Sequence, residues 1–190
     1  MNTKTIKVLE MVLPNNKLIN DNVNGNYKQR MGIFKWIHDQ VILGLQEGCE
    51  KVPTSVCRVT PRDKVWEVIG KPGENKITMV YSHFKVQRSF DVQNYCATFK
   101  YMVDVLTSND YWEDDSHRCV NSVILTGGDQ LNLEENNILG LEDRIYEVGP
   151  KKIIEEYIPD DSPYRKGKCK KTTDYDVFQL YAIVKDESNE

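Results

Sequence analysis

The chain has 190 residues, of which 39% are apolar and 28% are charged. This balance is typical of a globular protein and excludes collagen-like, disordered and coiled-coil chains. Acidic residues outnumber basic ones by 29 to 25, and the net charge of −4 argues against a uniformly basic nucleic-acid-binding protein. Any contact with nucleic acid must therefore depend on local clusters of Lys and Arg.

Two further features of the composition bear on the cellular compartment. No apolar run approaches the roughly 20 residues that a transmembrane helix needs, and the first residues lack the pattern of a secretory signal. The five cysteines are odd in number, scattered and without a CxxC pair, which predicts reduced thiols and neither a disulfide framework nor a zinc site. We therefore expect a cytoplasmic protein that does not contact a membrane.

Four segments of the first half have the composition of β-strands. They are rich in β-branched and long apolar residues and are bounded by turn-forming residues. In chain order the predicted strands are Lys4–Leu13, Val56–Val59, Val65–Ile69 and Lys76–Val86. The last of these is apolar on both faces, which predicts a central position in a sheet.

Two segments have the periodicity of amphipathic helices. The first is Tyr27–Leu45, where apolar residues fall four apart. The second and clearer one is Asp91–Leu106, with Asp91 as a candidate N-cap. Its apolar stripe consists of Tyr95, Phe99, Met102, Val103 and Leu106. At 100° per residue, Gln93, Ala97, Lys100 and Asp104 share its other face.

The second half predicts fewer elements. Cys119–Leu125 and Tyr175–Val184 have strand patterns, and the latter alternates Phe178, Leu180, Ala182 and Val184 on one side. Possible helices lie around Leu141–Tyr146 and Lys151–Tyr157. Together these elements predict an α+β fold, with one domain over residues 1–184, a mixed β-sheet, two main helices and a disordered tail at 185–190.

The residues between His83 and His117 combine groups that metal-dependent phosphodiester chemistry uses. Asp91 lies where a strand meets a helix, Lys100 lies on that helix, and Glu113-Asp114-Asp115 follows it. Mg²⁺ prefers hard oxygen ligands and can activate a bound water while neutralising phosphate charge. A nearby Lys can stabilise charge in the transition state.

Ordinary structural roles account for the same residues. Asp91 can cap its helix, an acidic triplet can be a solvated turn, and Lys100 can pair with Asp104 one turn away. His83 and His117 are better read as structural histidines than as general bases. The basic run Tyr164–Lys171 can equally be a solvated surface or a phosphate contact.

The segment resembles the core signature of the RusA-like Holliday junction resolvases, which reads approximately D-x-D-N, a helical Lys four residues before an Asp, and a D-D pair after an aromatic or apolar residue. The corresponding residues here are Asp91-Val92-Gln93-Asn94, Lys100, Asp104, Leu106 and Trp112-Glu113-Asp114-Asp115. Lys85 and Arg88 match the basic stretch that precedes the motif. The first strand, ending in Leu13-Pro14-Asn15-Asn16, is similar to the opening strand of the family.

The resemblance implies a RusA-like fold and a Mg²⁺-dependent endonuclease, with Mn²⁺ as an alternative ion, that cleaves branched DNA as a homodimer. It implies that Asp91, Asp115 and Lys100 are the catalytic residues. The implied metal ligands are Asp91, Asp115, Asp114 and Gln93, with Glu113 as an alternative to Asp114. The implied DNA contacts are Lys85, Arg88 and Asn94. Relative to compact family members, residues 126–174 form an insertion to which no role carries over.

The chain departs from the family pattern at two places. Gln93 stands where the family has the second acid of D-x-D-N, and an amide oxygen brings no charge to a metal. Two or three extra residues also separate Asn94 from Lys100, so Lys100 is either the lysine of the family or a substitute for it. Loss of cleavage through Gln93 would leave a branched-DNA-binding protein with the same fold.

The sequence supports two other inferences, one about the source of the protein and one about its function. The Asn- and Lys-rich composition is reminiscent of a phage of a low-GC bacterium, which would place the protein in the host cytoplasm. A remote alternative is an acidic interaction protein that is unrelated to DNA. Such a protein would show no salt-dependent binding to nucleic acid.

Overall fold

A computed structural model describes residues 3–14, 35, 38–39, 57–59, 76–86, 91–109, 114–127, 149–162, 165 and 169–185. The strands are β1 (Thr3–Pro14), β2 (Cys57–Val59), β3 (Ile77–Lys85), β4 (Val120–Gly127) and β5 (Tyr175–Lys185). The helices are α1 (Cys96–Ser108), which follows a 3₁₀ turn at Val92–Tyr95, and α2 (Pro150–Tyr157). A second 3₁₀ turn, Thr172–Asp174, leads into β5.

The five strands form one mixed sheet in the order β2-β1-β5-β3-β4. β1 is antiparallel to both β2 and β5, and β5 is antiparallel to β3. The pair of β3 and β4 is parallel, with α1 in the connection between them. This combination of a mixed sheet and helices is the α+β class that the sequence predicts.

α1 covers one face of the sheet. Four of the five predicted stripe residues lie on α1, and the fifth, Tyr95, ends the 3₁₀ turn before it. All five are buried and pack against side chains of β1, β3 and β5. On β5 the same cluster contains the four predicted alternating residues, Phe178, Leu180, Ala182 and Val184. Both apolar patterns read from the sequence are therefore confirmed.

α2 covers part of the opposite face. Ile153, Ile154 and Tyr157 pack there against Val12 and Phe84 together with the first residues of β5. The α2 segment agrees with the predicted helix at Lys151–Tyr157, and a glycine with φ of +81°, Gly149, precedes it. Part of the 126–174 segment is thus an integral layer of the fold.

β5 occupies the middle of the sheet, although its sequence predicts apolar residues on one side only. Every residue from Tyr175 to Ala182 is buried, because β1 and β3 flank the strand and both faces are covered. The strand also extends one residue further than predicted, since Lys185 pairs with Thr3. β3 also lies inside the sheet, between β5 and β4, as its two apolar faces predict.

Several predicted elements lie wholly or partly outside the described residues. The strand at Val65–Ile69, the helix at Leu141–Tyr146 and residues 186–190 of the tail predicted at 185–190 lie outside the described residues. Of the helix predicted at Tyr27–Leu45, Lys35, His38 and Asp39 are described and have helical backbone. In the described part of the chain, no helix is long and apolar enough to cross a bilayer. Within the described residues, Cys96, Cys119 and Cys169 are not joined in a disulfide.

A buried polar network ties α2 to the sheet. The Glu10 carboxylate on β1 accepts hydrogen bonds from the Tyr157 hydroxyl, from Gln179 Nε2 at 2.6 Å and from Lys7 Nζ at 3.1 Å. Gln179 in turn accepts a hydrogen bond from the Tyr181 hydroxyl. Burial alone would raise the pKa of Glu10, but these donors and the charge of Lys7 outweigh it and hold the pKa below its ordinary value. Glu10 is therefore a satisfied buried carboxylate.

Removing one donor from this network should destabilise the fold. We expect Tyr157→Phe to lower the free energy of unfolding by about 1.5–3 kcal/mol, because a buried charged acceptor loses a partner. Tyr81→Phe is the matched control, since the Tyr81 hydroxyl donates only to the Met79 thioether, a weak acceptor, at 3.4 Å. Urea denaturation of both variants measures the difference, and equal losses would contradict this role of Glu10.

Candidate functional site

The structure brings Lys100 together with two carboxylates from different segments. Lys100 Nζ lies 2.9 Å from Asp104 Oδ1 and 3.7 Å from Asp115 Oδ2. Asp104 is one turn further along α1, and Asp115 lies in the turn between α1 and β4. We call these three residues the Lys100 cluster. It contains both the Lys100–Asp104 pair expected of a helix surface and the Lys100–Asp115 proximity that the resemblance implies.

Local structure explains why these side chains converge. The buried stripe of α1 turns Lys100 and Asp104 away from the sheet. After the helix, the Asp114 carboxylate accepts hydrogen bonds from the Ser116 backbone N–H, at 3.2 Å, and from the Ser116 hydroxyl. The Ser116 carbonyl then accepts the N–H groups of Cys119 and Val120, which starts β4. This turn presents Asp115 beside α1.

The electrostatics of the Lys100 cluster are those of a solvated ion group. The hydrogen bond to Asp104, together with the charges of Asp104 and Asp115, raises the pKa of Lys100 above its ordinary value. The side chains of Lys100 and Asp115 are 63% and 41% exposed. Solvent therefore screens the interaction, and the contact adds little to stability. The cluster is open to an incoming ligand.

Tyr81 on β3 lies beneath the cluster. Its ring stacks on Phe99 with centroids 4.8 Å apart, and only 6% of the residue is exposed. Burial raises the pKa of Tyr81, and the carboxylates of Asp115 and Asp104 raise it further. Tyr81 therefore stays protonated, so its phenol is no base for this site.

Asp91 lies at the other end of the helical segment. Its Oδ1 accepts a hydrogen bond from Gln93 N at 3.1 Å, and its carbonyl accepts one from Asn94 N at 3.1 Å. Asp91 is therefore the N-cap of the helical segment, as predicted, but it caps the 3₁₀ turn and not α1, which Tyr95 precedes without a side-chain cap. The side chains of Asp91, Gln93 and Asn94 are exposed. Among the described residues, Asp91 makes no ion pair with Lys100.

A buried histidine–aspartate pair lies close to this end of the segment. His83 Nε2 on β3 is 3.4 Å from Asp176 Oδ2 on β5, and both side chains are at most 1% exposed. The His83 ring stacks on Phe178 with centroids 4.4 Å apart and contacts Tyr95 with centroids 3.6 Å apart. Because Tyr95 ends the 3₁₀ turn that Asp91 caps, the pair supports that turn from below.

Sequence reasoning missed Asp176. In the sequence, Asp176 stands out only as an acid near the start of a mostly apolar strand. Its partner, His83, lies more than 90 residues earlier. Lys85, a predicted DNA contact, is half-buried on the strand opposite Asp176, and its Nζ lies 5.5 Å from the centroid of the Tyr95 ring. Arg88, Trp112 and Glu113 lie outside the described residues.

The described residues do not form a complete metal site. Within them, no three His, Cys, Asp or Glu side chains come together as a metal-ligating group. In the Lys100 cluster, the single ammonium offsets only one of the two carboxylate charges, and it pairs with both groups. A Mg²⁺ ion would have to compete with Lys100 for Asp115 and draw further ligands from elsewhere in the chain.

Comparisons with known proteins find no relative. No protein-family model matches the chain, no curated protein resembles it significantly, and no solved structure does.

The buried histidine predicts a pH dependence of stability. Burial lowers the pKa of His83, even though Asp176 acts in the opposite direction. Below about pH 6.5, the unfolded chain takes up a proton that the folded chain excludes, so the free energy of unfolding should fall as the pH falls. His83→Gln should flatten this slope below about pH 6.5.

His117→Gln is the control, because His117 is exposed and lies outside the core. Chemical denaturation at several pH values measures the slope for each variant. If His83→Gln keeps the slope of the unmodified protein, His83 does not exclude a proton in the folded state.

Proposed function

We propose that the chain is an endodeoxyribonuclease that cleaves branched DNA in the manner of the RusA-like Holliday junction resolvases. One observation carries the proposal. The helix lysine and the acid after the helix, which are 15 residues apart, lie within 3.7 Å of each other. These are the two positions at which the family signature requires a cation and a carboxylate. The mixed sheet, with α1 in the connection from β3 to β4, is compatible with the proposed fold.

The proposed role of Lys100 follows from its two contacts. It holds Asp104 at hydrogen-bonding distance and Asp115 more loosely, and all three groups are in contact with solvent. An incoming phosphate can therefore replace Asp115 beside the ammonium, because losing this solvent-screened ion pair costs little free energy. Lys100 would then stabilise negative charge on the scissile phosphate, and the released Asp115 would be available as a ligand or base.

The remaining assignments rest on the resemblance. Asp91 and Asp115 are the proposed principal ligands of Mg²⁺, or of Mn²⁺, with Asp114 or Gln93 assisting. The ion would supply an activated water and charge neutralisation at the phosphate. Lys85, Arg88 and Asn94 would contact the DNA backbone near the turn at Asp91. The proposal includes a homodimer in the cytoplasm, where a phage-encoded protein would meet replicating host or phage DNA.

A second function is favoured by two specific observations. Gln93 replaces the second acid of the motif, and the described residues form no three-ligand metal group. Both fit a protein that binds branched DNA without cutting it. In that case Lys100 would contact a DNA phosphate, and Asp104 and Asp115 would set the net charge of the contact.

A cleavage assay separates the two functions. Purified protein is incubated with a labelled four-way junction and with linear duplex, in Mg²⁺ and in EDTA. We expect paired nicks on the junction only, in Mg²⁺ only. Asp115→Asn and Lys100→Met should each lower the rate by about 100-fold or more, the loss typical of a removed charge-stabilising group.

Matched controls come from α2, where Lys151 and Glu155 form another exposed i, i+4 pair, with 3.8 Å between Nζ and Oε1. Lys151→Met and Glu155→Gln should leave cleavage unchanged. Tight junction binding without nicks in any metal condition would favour the binding protein. Absence of salt-dependent binding to every DNA tested would overturn both functions.

A further inference from the structure

The 3₁₀ turn at Val92–Tyr95, together with its cap Asp91, presents polar side chains to solvent at the start of the helical segment. Asp91, Gln93 and Asn94 are exposed. Of the four residues in the turn, Tyr95 is the buried one, with 2% of its surface exposed. A short 3₁₀ turn has few and poorly aligned hydrogen bonds of its own. The position of the Tyr95 ring therefore helps to fix how the turn lies on the sheet.

The Tyr95 ring packs against side chains of two neighbouring strands of the sheet. The His83 ring on β3 lies 3.6 Å from it between centroids, tilted by 44°. The Phe178 ring on β5 lies 5.6 Å away. Lys85 Nζ, also on β3, lies 5.5 Å from the Tyr95 centroid, a distance at which a cation is attracted to an aromatic ring. The sheet thus holds the buried residue of the turn through three side chains.

The nearest of these side chains, His83, is itself held by Asp176. Asp176 Oδ2 lies 3.4 Å from His83 Nε2, and the imidazole lies flat on Phe178, with centroids 4.4 Å apart and 5° between the ring planes. A carboxylate beside an imidazole fixes the orientation of the ring. Both side chains are at most 1% exposed, and burying two such polar groups costs free energy that an apolar pair would not cost. Filling space in the core therefore does not by itself explain the pair.

We infer that His83 and Asp176 are positioning residues for Asp91, and that they act through the Tyr95 ring. Asp91 is tied to the turn by two hydrogen bonds of 3.1 Å, from Gln93 N to its Oδ1 and from Asn94 N to its carbonyl. A shift of the Tyr95 ring would move this turn, and with it the Asp91 carboxylate. The consequence for a metal ion at Asp91 rests on the proposed function, whereas the ordering of the turn does not.

The first test needs neither metal nor DNA. Hydrogen exchange measured by NMR follows the amides of Gln93 and Asn94, which donate the two bonds to Asp91. His83→Gln removes the ring and keeps a polar group facing Asp176. We expect exchange at both amides to become at least about fivefold faster, because the turn opens more often, while α1 stays protected. Asp176→Asn, which keeps the His83 ring, should give a smaller increase.

Tyr157→Phe is the control for a general loss of stability. Tyr157 packs on the opposite face of the sheet, so its loss should destabilise the fold without changing the Gln93 and Asn94 amides. The unmodified protein provides a check that does not depend on how a variant folds, since nuclear Overhauser effects should connect the His83 and Tyr95 rings. The inference is overturned if these effects are absent, if His83→Gln leaves both exchange rates unchanged, or if Tyr157→Phe raises them equally.

The second test measures junction cleavage against Mg²⁺ concentration. His83→Gln should raise the Mg²⁺ concentration for half-maximal cleavage by about 10- to 100-fold, the loss typical when a residue that orients a metal ligand is removed. The rate at saturating Mg²⁺ should change by less than about threefold, because the reacting groups are intact. Tyr157→Phe should change neither value. An unchanged Mg²⁺ dependence in His83→Gln would overturn the inference. If the unmodified protein cuts no junction, the proposed function fails, and the exchange measurements alone decide the positioning role.

Discussion

The burial of β5 on both faces is the constraint on which the rest of the fold depends. A strand in the middle of a sheet can be buried throughout only if each face has its own cover. α1 covers one face and α2 contributes to the cover of the other. The outer side of α1 and the turns at its two ends are left in contact with solvent. The candidate functional groups lie on these surfaces.

Both layers of the core contain a buried carboxylate with a polar neighbour. On the α2 side, Glu10 receives donors from β5 and from α2, so the helix and the sheet share one buried carboxylate. On the α1 side, His83 and Asp176 lie beneath Tyr95. This second pair links the centre of the sheet to the turn that Asp91 caps, and thus supports a surface that the proposed function uses. Polar burial of this kind favours one arrangement of the layers over others.

The parts of the fold that depend on local patterns could be predicted from the sequence. The stripe from Tyr95 to Leu106 predicts α1 because its spacing matches one helix face, and Asp91 predicts the cap because its side chain reaches its own backbone. The position of β5 could not be predicted, since it depends on which strands pair. The contacts of Glu10 join residues 147 and 169 positions apart, and no local pattern encodes them. Lys100 and Asp115 were linked through a family signature, and the structure adds their distance and exposure.

We propose that a metal ion and a phosphate bind at the Lys100 cluster. The most direct measurement is a titration of isotope-labelled protein with Mn²⁺, following the paramagnetic broadening of backbone amide signals. We expect the amides around Asp115 and around Lys100 to Asp104 to broaden first, and excess Mg²⁺ to reverse the effect. Broadening that begins at the acidic C-terminus, and leaves the amides of the cluster sharp at the same ion concentration, would contradict it.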